Sequence, residues 1–281
     1  MRLAVTGASG FCGTAVARLA ASTGHEVVGV GRRPGPVGEH VFWDATAGPP
    51  DLSGVDAVVH LAAAVGDPRP GRAAEEAYRA VNVGGTLRLL DAARDRPVVW
   101  VSSASVYRPG PYAAPVREDH PAGGQRGAYG RTKAEGERLA LAAGAVALRP
   151  RAVYGDGDRH LLPRLRRVVR GGYAWLPGPD VLMSLTAVEN LAAACLAALD
   201  WPGGAYNIAD EQPYGRDDVL SRVLGVPVRH LPAGLARGLA VVSPSLTRYA
   251  VDQLTDGMVL DLTRAREQGY APRRSVTDYL V

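Results

Sequence analysis

The first segment of the chain constrains its fold more than any other. An apolar run at residues 2–6, RLAVT, leads into TGASGFCG and then into an apolar-periodic stretch from about Phe11 to Ser22. Glycines therefore stand between a predicted strand and a predicted helix. Such glycines allow a tight turn, close approach of backbone to a pyrophosphate, and close packing of the helix on the strand. The N-terminus of the helix offers N–H groups and a positive dipole to phosphates. We expect a dinucleotide loop made of Gly7, Ser9, Gly10, Phe11, Cys12 and Gly13.

Strand-like and helix-like segments alternate through most of the chain. The strand-like runs are continuously apolar, which is typical of a parallel sheet covered on both faces. The predicted strands are 2–6, 26–30, 55–61, 98–102, 145–149 and 205–208, and the predicted helices are 11–22, 73–94, 129–143 and 188–199. The fold class predicted is α/β, a Rossmann-type doubly wound parallel sheet with a smaller C-terminal substrate-binding lid region.

The pattern loosens after Pro150. A chain of 281 residues is long enough for one substantial domain and a smaller satellite. We predict a cofactor-binding domain at 1–155, to which 181–208 return. The substrate-binding region would then consist of 156–180 and 209–281.

Composition excludes several classes of protein. Only two cysteines occur, Cys12 and Cys195, without metal-type partners, and the six histidines lack HxxxH spacing. We therefore expect no metal site and a reducing, cytoplasmic setting. The sequence contains no run of about 18 apolar residues, so we expect no membrane span. Its first residues lack the apolar core of a signal peptide.

A formal net charge of +4 would be compatible with binding to nucleic acid. The arginines are spread along the chain, however, and form no dense basic segment, so we expect no nucleic-acid partner. The tightest group consists of Arg164, Arg166, Arg167 and Arg170. Its spacing is typical of an amphipathic helix with a solvated basic face. Whether the segment Arg159–Arg170 contacts an anionic substrate is left open.

The end of the second predicted strand indicates the form of the cofactor. An NAD enzyme usually carries an acid there, which would accept from the ribose 2′-OH and repel a 2′-phosphate. This chain has Gly31, Arg32 and Arg33 instead. A guanidinium can hold a phosphate with two hydrogen bonds, so NADP(H) is favoured over NAD(H).

The sequence Tyr129-Gly-Arg-Thr-Lys133 carries the predicted chemistry. On a helix, positions four apart share a face, and a nearby ammonium lowers the pKa of a phenol. Tyr129 could then give or take a proton near neutral pH. Of the 32 lysine and arginine residues, Lys133 is the single lysine. A compact ammonium therefore has a role at this position that a guanidinium cannot fill.

Serines follow the predicted strand at 98–102. The carboxyl edge of a parallel sheet faces the crevice in which ligands bind. Ser103 could therefore hydrogen-bond the reacting oxygen, with Ser102 beside the cofactor.

Together these motifs resemble the extended branch of the short-chain dehydrogenase/reductase superfamily, the epimerase/dehydratase-like enzymes. The spacing of the glycines, VSSASVY at 101–107 and LRPRAVYG at 148–155 all match that branch. The resemblance implies Ser103, Tyr129 and Lys133 as catalytic residues. It also implies cofactor contacts from positions that match other family motifs, namely Asp44, Leu61, Ala62, Ala63, Asn82, Pro150 and Val153, together with Tyr129 and Lys133 themselves.

The chain departs from that pattern in ways that bear on its reaction. Arg108 stands where glycine is expected, and Asn190 stands where aspartate is expected. Sugar-nucleotide dehydratases carry Asp-Glu after the catalytic hydroxyl, whereas this chain has Ala104-Ser105. Dehydration is therefore disfavoured.

Three functions stay open at this point. The first is reversible hydride transfer between NADP(H) and a secondary alcohol or ketone of a small molecule. The second is a nucleotide-sugar epimerase with tightly bound NAD, and the third is a non-catalytic NADP(H) sensor. Ser105, Tyr107 and His160 are the candidate substrate contacts, the substrate itself is not identified, and dimers are common in the family that the chain resembles.

Overall fold

A computed structural model describes residues 1–66, 71–158, 165–242 and 248–279. It contains a seven-stranded parallel sheet and several two- or three-stranded sheets. The strands are β1 Arg2–Thr6, β2 Glu26–Gly31, β3 Glu39–Phe42, β4 Ala57–His60, β5 Val98–Val101, β6 Val146–Pro150, β7 Val153–Tyr154, β8 Val169–Arg170, β9 Tyr173–Pro177, β10 Leu182–Met183, β11 Thr186–Ala187, β12 Gly204–Ile208, β13 Tyr214–Gly215 and β14 Val228–Leu231.

Helices flank the large sheet and build much of the C-terminal region. They are α1 Phe11–Ser22, α2 Arg72–Arg79, α3 Thr86–Ala93, α4 Ala128–Ala142, α5 Val188–Ala197, α6 Arg216–Leu224, α7 Ala233–Val242, α8 Arg248–Thr255 and α9 Thr263–Glu267. A π-helical turn, Ala80–Gly85, joins α2 to α3, so these elements form nearly one continuous helix. Within the described ranges, none of the helices is both long and apolar enough to cross a membrane.

The large sheet has the strand order β12-β6-β5-β4-β1-β2-β3, and all of its pairs are parallel. From β1 the chain proceeds outward to β2 and β3, and it then returns to continue on the other side with β4. The order therefore reverses between β1 and β4, and a crevice opens there at the carboxyl ends of the strands. The predicted doubly wound fold is confirmed.

Two apolar layers cover the sheet. On one face α1 and α5 pack together through side chains such as Val16 and Leu191. On the other face Leu89 of α3 and Ala140 of α4 pack around Trp100 of β5. Strands β4 and β5 are buried along their full length, which explains why their sequences are continuously apolar.

The segment around the arginine cluster differs from its prediction. Residues 159–164, including Arg164, lie outside the described part of the chain. Beyond them a short 3-10 turn, Arg166–Val168, leads directly into β8 and β9, which pair antiparallel through Gly171 and Gly172. Both glycines have positive φ values, 57° and 77°, as tight hairpin turns require. The prediction of a helix that continues to Arg170 is therefore wrong.

Candidate active site

The glycine loop forms the floor of the crevice. Gly7 has φ of 68° and donates its N–H to Val30 O at 2.9 Å, and Gly10 N donates to Gly7 O at 2.8 Å. A Cβ at Gly13 would lie 2.1 Å from Gly7 O, so the helix can pack this closely only without a side chain there. The intrahelical bonds begin with Thr14 N to Gly10 O, and the preceding amides face the end of the helix. The cradle is thus closed to side chains and suited to a pyrophosphate.

The loop after β4 forms one wall of this cradle. A Cβ at Gly7 would lie 3.0 Å from Ala62 N. Thr6 Oγ1 accepts from Leu61 N and Ala62 N at 3.0 Å each. Its own proton is therefore donated to His60 Nδ1, 2.8 Å away. Burial, reinforced by the charge of Lys133, lowers the pKa of His60 to about 3, so the ring is neutral.

Asn82 braces that wall from behind. Its side-chain oxygen accepts from Ala64 N at 2.7 Å, and its amide donates to Ala64 O at 3.1 Å and Thr132 Oγ1 at 3.0 Å. The residue is only 2% exposed and stands in the π-helical turn. Asn82 therefore shapes the loop through internal bonds, linking it to α4.

The two arginines predicted to select the cofactor follow β2. Arg32 and Arg33 are exposed at the same edge of the sheet as Asp44, which follows β3. Asp44 accepts from Thr46 Oγ1 and Thr46 N at 2.7 and 2.8 Å. These bonds, with a smaller contribution from the charge of Arg32, hold the pKa of Asp44 below its usual value. The Arg32 guanidinium is therefore close enough to Asp44 to act on its carboxylate.

Ser103 begins the 3-10 turn Ala104–Val106, and its Oγ accepts from Ser105 N at 3.1 Å. The first turn of α4 packs against this turn, because a Cβ at Gly130 would lie 2.8 Å from Ser105 O. Gln125 Nε2 also donates to Val106 O at 2.5 Å. The half-buried Tyr129, beside Gly130, is thereby held next to the turn that carries Ser103.

Lys133 stands one helical turn after Tyr129, on the same face of α4. Its Nζ donates to Val101 O at 2.7 Å and lies 3.7 Å from the centroid of the Trp100 ring. The residue is 3% exposed. Burial lowers the pKa of Lys133 to about 7, and the negative charge of Glu137 opposes that change.

The structure brings most of the predicted site residues to one edge of the sheet. A predicted group lies at or just beyond the carboxyl end of strands β1 to β6, so all of these groups share one edge of the sheet. They are the glycine loop, Arg32, Asp44, Leu61, Ser103 and Pro150. Ala152, between Pro150 and Val153, has φ of 44°, a strained conformation for a residue with a side chain. The residues at this edge fit a dinucleotide, because the glycine cradle has no room for a Cβ.

Two of the three substrate predictions need comment. His160 lies outside the described residues. Tyr107 is 2% exposed. Its hydroxyl donates to Asn207 Oδ1 at 2.6 Å and accepts from Arg149 Nη1 at 2.9 Å. The hydroxyl of Tyr107 therefore belongs to an internal network, although the ring borders the pocket described next. Tyr107 therefore stays a predicted substrate contact through its ring alone.

A narrow pocket of about 20 Å³ opens beside Ser105 and is a candidate edge of the substrate site. Its far wall is polar: Asp252 pairs with Arg126 and with Arg237, the latter at 3.1 Å. Arg151 Nη1 donates to Gln253 Oε1 at 3.0 Å. Sequence reasoning missed this wall, since its members come from segments far apart in the chain. Only the adjacency of Arg151 to Pro150 could have pointed to it.

Comparisons with known proteins place the chain in a family. A model of the NAD dependent epimerase/dehydratase family matches residues 3–209. The chain is similar to a 2-alkyl-3-oxoalkanoate reductase from Stenotrophomonas maltophilia (strain K279a), with 29% identity over 100% of this chain and 97% of the relative.

Two solved structures are similar over the whole chain. One is a short-chain dehydrogenase/reductase superfamily protein from Agrobacterium tumefaciens with bound NAD, at 26% identity and a TM-score of 0.80, covering 100% of this chain and 95% of that one. The other is MoeE5 in complex with UDP-glucose and NAD, at 26% identity and a TM-score of 0.78, covering 100% and 96%.

Proposed function

Since the chain belongs to the NAD-dependent epimerase/dehydratase family, we propose that it is an NADP(H)-dependent oxidoreductase acting on a secondary alcohol or ketone of a small molecule. At the coarser level it is an NAD(P)-dependent oxidoreductase of the extended short-chain dehydrogenase/reductase type. The observation that supports the proposal is the packing of α4, which carries Tyr129 and Lys133, on the end of β5 and the turn that follows Ser103.

Each of the three residues has a distinct role in this proposal. Tyr129 donates a proton to the carbonyl oxygen during reduction, or takes one from the alcohol during oxidation. The Lys133 ammonium favours the phenolate by its charge. The Ser103 oxygen accepts from Ser105 N, so its own proton is free to point at the reacting oxygen. When bound, the nicotinamide supplies or receives the hydride.

The catalytic roles can be separated by substitution. We expect Tyr129→Phe to lower turnover by on the order of a hundred- to ten-thousand-fold with NADPH affinity nearly intact. Ser103→Ala should be milder, because it removes one hydrogen bond. Lys133→Arg should damage turnover and cofactor binding together. Near-normal turnover of Tyr129→Phe would show that the proton comes from another group.

Preference for NADP(H) is proposed from the exposed Arg32 and Arg33, which follow β2 where an acid would select NAD. Titration should show NADPH binding roughly tenfold more tightly than NADH, and Arg32→Ala should remove most of that difference. The exposed Arg94, on the loop after α3, gives a matched control, Arg94→Ala. Equal affinities in the unmodified protein would contradict the proposal.

A ketone substrate is supported by the Stenotrophomonas maltophilia relative, which is named a reductase of 2-alkyl-3-oxoalkanoates. The pocket beside Ser105 offers arginine, aspartate and glutamine side chains, which favour a substrate with polar groups besides its carbonyl. We propose that the described parts of 156–180 and 209–281, which supply Asp252 and Gln253, form the substrate side. A turnover screen of ketones with NADPH, followed at the nicotinamide absorbance band, tests the reaction directly.

A nucleotide-sugar epimerase is the second candidate, because MoeE5 is similar over the whole chain and was solved with UDP-glucose and NAD. An epimerase returns the hydride to its substrate. Formation of a product isomer without net change in nicotinamide absorbance would favour it, whereas stoichiometric consumption of NADPH would favour the oxidoreductase.

A further inference from the structure

Trp100 occupies an unusual place behind the proposed catalytic residues. Its side chain is completely buried in β5, and the Lys133 ammonium lies over its ring at 3.7 Å from the centroid. The His60 ring stacks near it, with the ring centroids 6.3 Å apart. The indole therefore neighbours both the proposed catalytic cation and the histidine that holds the start of the cofactor loop through Thr6.

The indole is fixed in that place by hydrogen bonds. Trp100 Nε1 donates to Thr86 Oγ1 at 3.2 Å, and Thr86 Oγ1 donates to Asn82 O at 2.8 Å. A Cβ at Gly136 would lie 3.0 Å from Trp100 Cζ2, so α4 packs directly on the ring. The ring thus has a defined orientation when Lys133 meets it.

The surroundings of the ammonium explain why an aromatic face matters there. With 3% of its surface exposed, Lys133 has lost nearly all contact with water. The Val101 carbonyl and the indole face replace part of that lost hydration. The Glu137 carboxylate, on the same helix, is engaged by Arg149 at 2.6 to 3.2 Å. Desolvated cation–π contacts are among the stronger ones of their kind.

We propose that Trp100 is a positioning residue for Lys133: its indole face keeps the buried lysine protonated and aimed at the edge of the site. The proposal rests on the function proposed above for Lys133. Four groups share this environment, namely Tyr129 and Glu137 on α4, His60 on β4 and Arg149 on β6, and the tests below leave all four unchanged.

The chain itself offers a direct readout. Because Lys133 is its single lysine, labelling with ¹³C-lysine gives one side-chain Cε signal, whose titration reports the protonation of Lys133. In the unmodified protein the midpoint should lie near the lowered pKa of about 7. In Trp100→Leu, which removes the aromatic face, the midpoint should fall by about one pH unit, a tenfold change in proton affinity.

Two further variants separate positioning from mere packing. Trp100→Phe keeps a smaller aromatic face and should shift the midpoint less than Trp100→Leu, and it serves alone if Trp100→Leu does not fold. Leu89→Ala opens a cavity in the same apolar cluster without touching Lys133. It should lower the free energy of unfolding and leave the midpoint unchanged.

The outcomes are distinct. If Trp100→Leu and Trp100→Phe titrate at the midpoint of the unmodified protein, the proposal is overturned, even if both lose stability. The alkaline limb of the pH profile of kcat/KM should move with the NMR midpoint. If no ketone is turned over yet the midpoint shifts as expected, the positioning of Lys133 by Trp100 stands and the proposed reaction fails.

Discussion

His60 offers a sharp test of how the cofactor loop is held. Its Nδ1 accepts the Thr6 proton, because Thr6 Oγ1 already accepts from two backbone amides of the loop. Protonation of His60 would remove that acceptor and break the link between β1, β4 and the loop at 61–62. Acid should therefore lower the free energy of unfolding, and loosen the loop, in part through this ring.

The size of this loss of stability follows from the pKa of His60 in the folded and unfolded states. Burial lowers the pKa of His60 from 6.5 to about 3. Below pH 6.5 the unfolded chain binds a proton at this position and the folded protein does not, so stability falls as the pH drops toward 3. Between pH 8 and pH 5 the loss due to His60 alone should be about 2 kcal/mol.

The assay compares urea unfolding at pH 8 and pH 5 for the unmodified protein and His60→Asn. The asparagine oxygen can still accept from Thr6, but it does not titrate in this range. His60→Asn should be less stable at pH 8, because it loses the ring between Trp43 and Trp100. Its further loss at pH 5 should be smaller by about 2 kcal/mol.

The exposed His40, which contacts Gly31 O, provides the control. His40→Asn removes a histidine and leaves the buried site intact, so its pH dependence should follow that of the unmodified protein. If His60→Asn loses as much stability between pH 8 and pH 5 as the unmodified protein does, the reasoning about the neutral ring is refuted.

Three other predictions follow from the same contacts. Gly13→Ala places a Cβ 2.1 Å from Gly7 O and should weaken NADPH binding by roughly tenfold or more. Gly48→Ala, which has open space around it, is the control and should leave the affinity unchanged. Equal NADPH affinities of the two variants would contradict the close packing of the loop. Burial raises the pKa of Cys12 to about 12, so iodoacetamide should label it slowly at pH 8 until urea unfolds the chain, and rapid native labelling would count against that burial. Asn190→Asp should lower the free energy of unfolding by about 2 kcal/mol at pH 8, because Asn190 Nδ2 donates to the buried Asp210 at 2.8 Å and a second carboxylate would repel the first. Urea unfolding should show that this loss becomes smaller at lower pH.

The β/α framework was predictable because its strands are buried on both faces and its first loop is rich in glycine. Helix Phe11–Ser22 begins and ends where the sequence predicts. Strand Glu39–Phe42 was not predicted, since it lies at the edge of the sheet with mostly exposed side chains and therefore carries no apolar run. Edge strands of this kind leave little trace in hydrophobic periodicity.

The candidate site likewise contains residues that the sequence could predict and residues that it could not. Residues that follow a strand directly, such as Ser103, could be placed because the carboxyl ends of parallel strands share one edge. The pocket wall of Arg126 and Asp252 could not, since it depends on how the C-terminal region packs over the sheet. Asn82 matches a family motif by sequence, and the structure adds its two hydrogen bonds to Ala64 in the loop after β4, which the sequence could not reveal.

The single lysine finds a physical reason in the geometry around it. Arginine occupies 31 of the 32 lysine and arginine positions in the chain, and lysine occupies only position 133. There Nζ lies 2.7 Å from Val101 O and 3.7 Å from the centroid of the Trp100 ring, and the residue is 3% exposed. A guanidinium is a broad planar fork with five N–H donors, and in this space most of them would be left unsatisfied. The exception to the compositional bias thus coincides with a position where the size of the cation matters, and this is why Lys133→Arg should fail although arginine serves at the other 31 lysine or arginine positions.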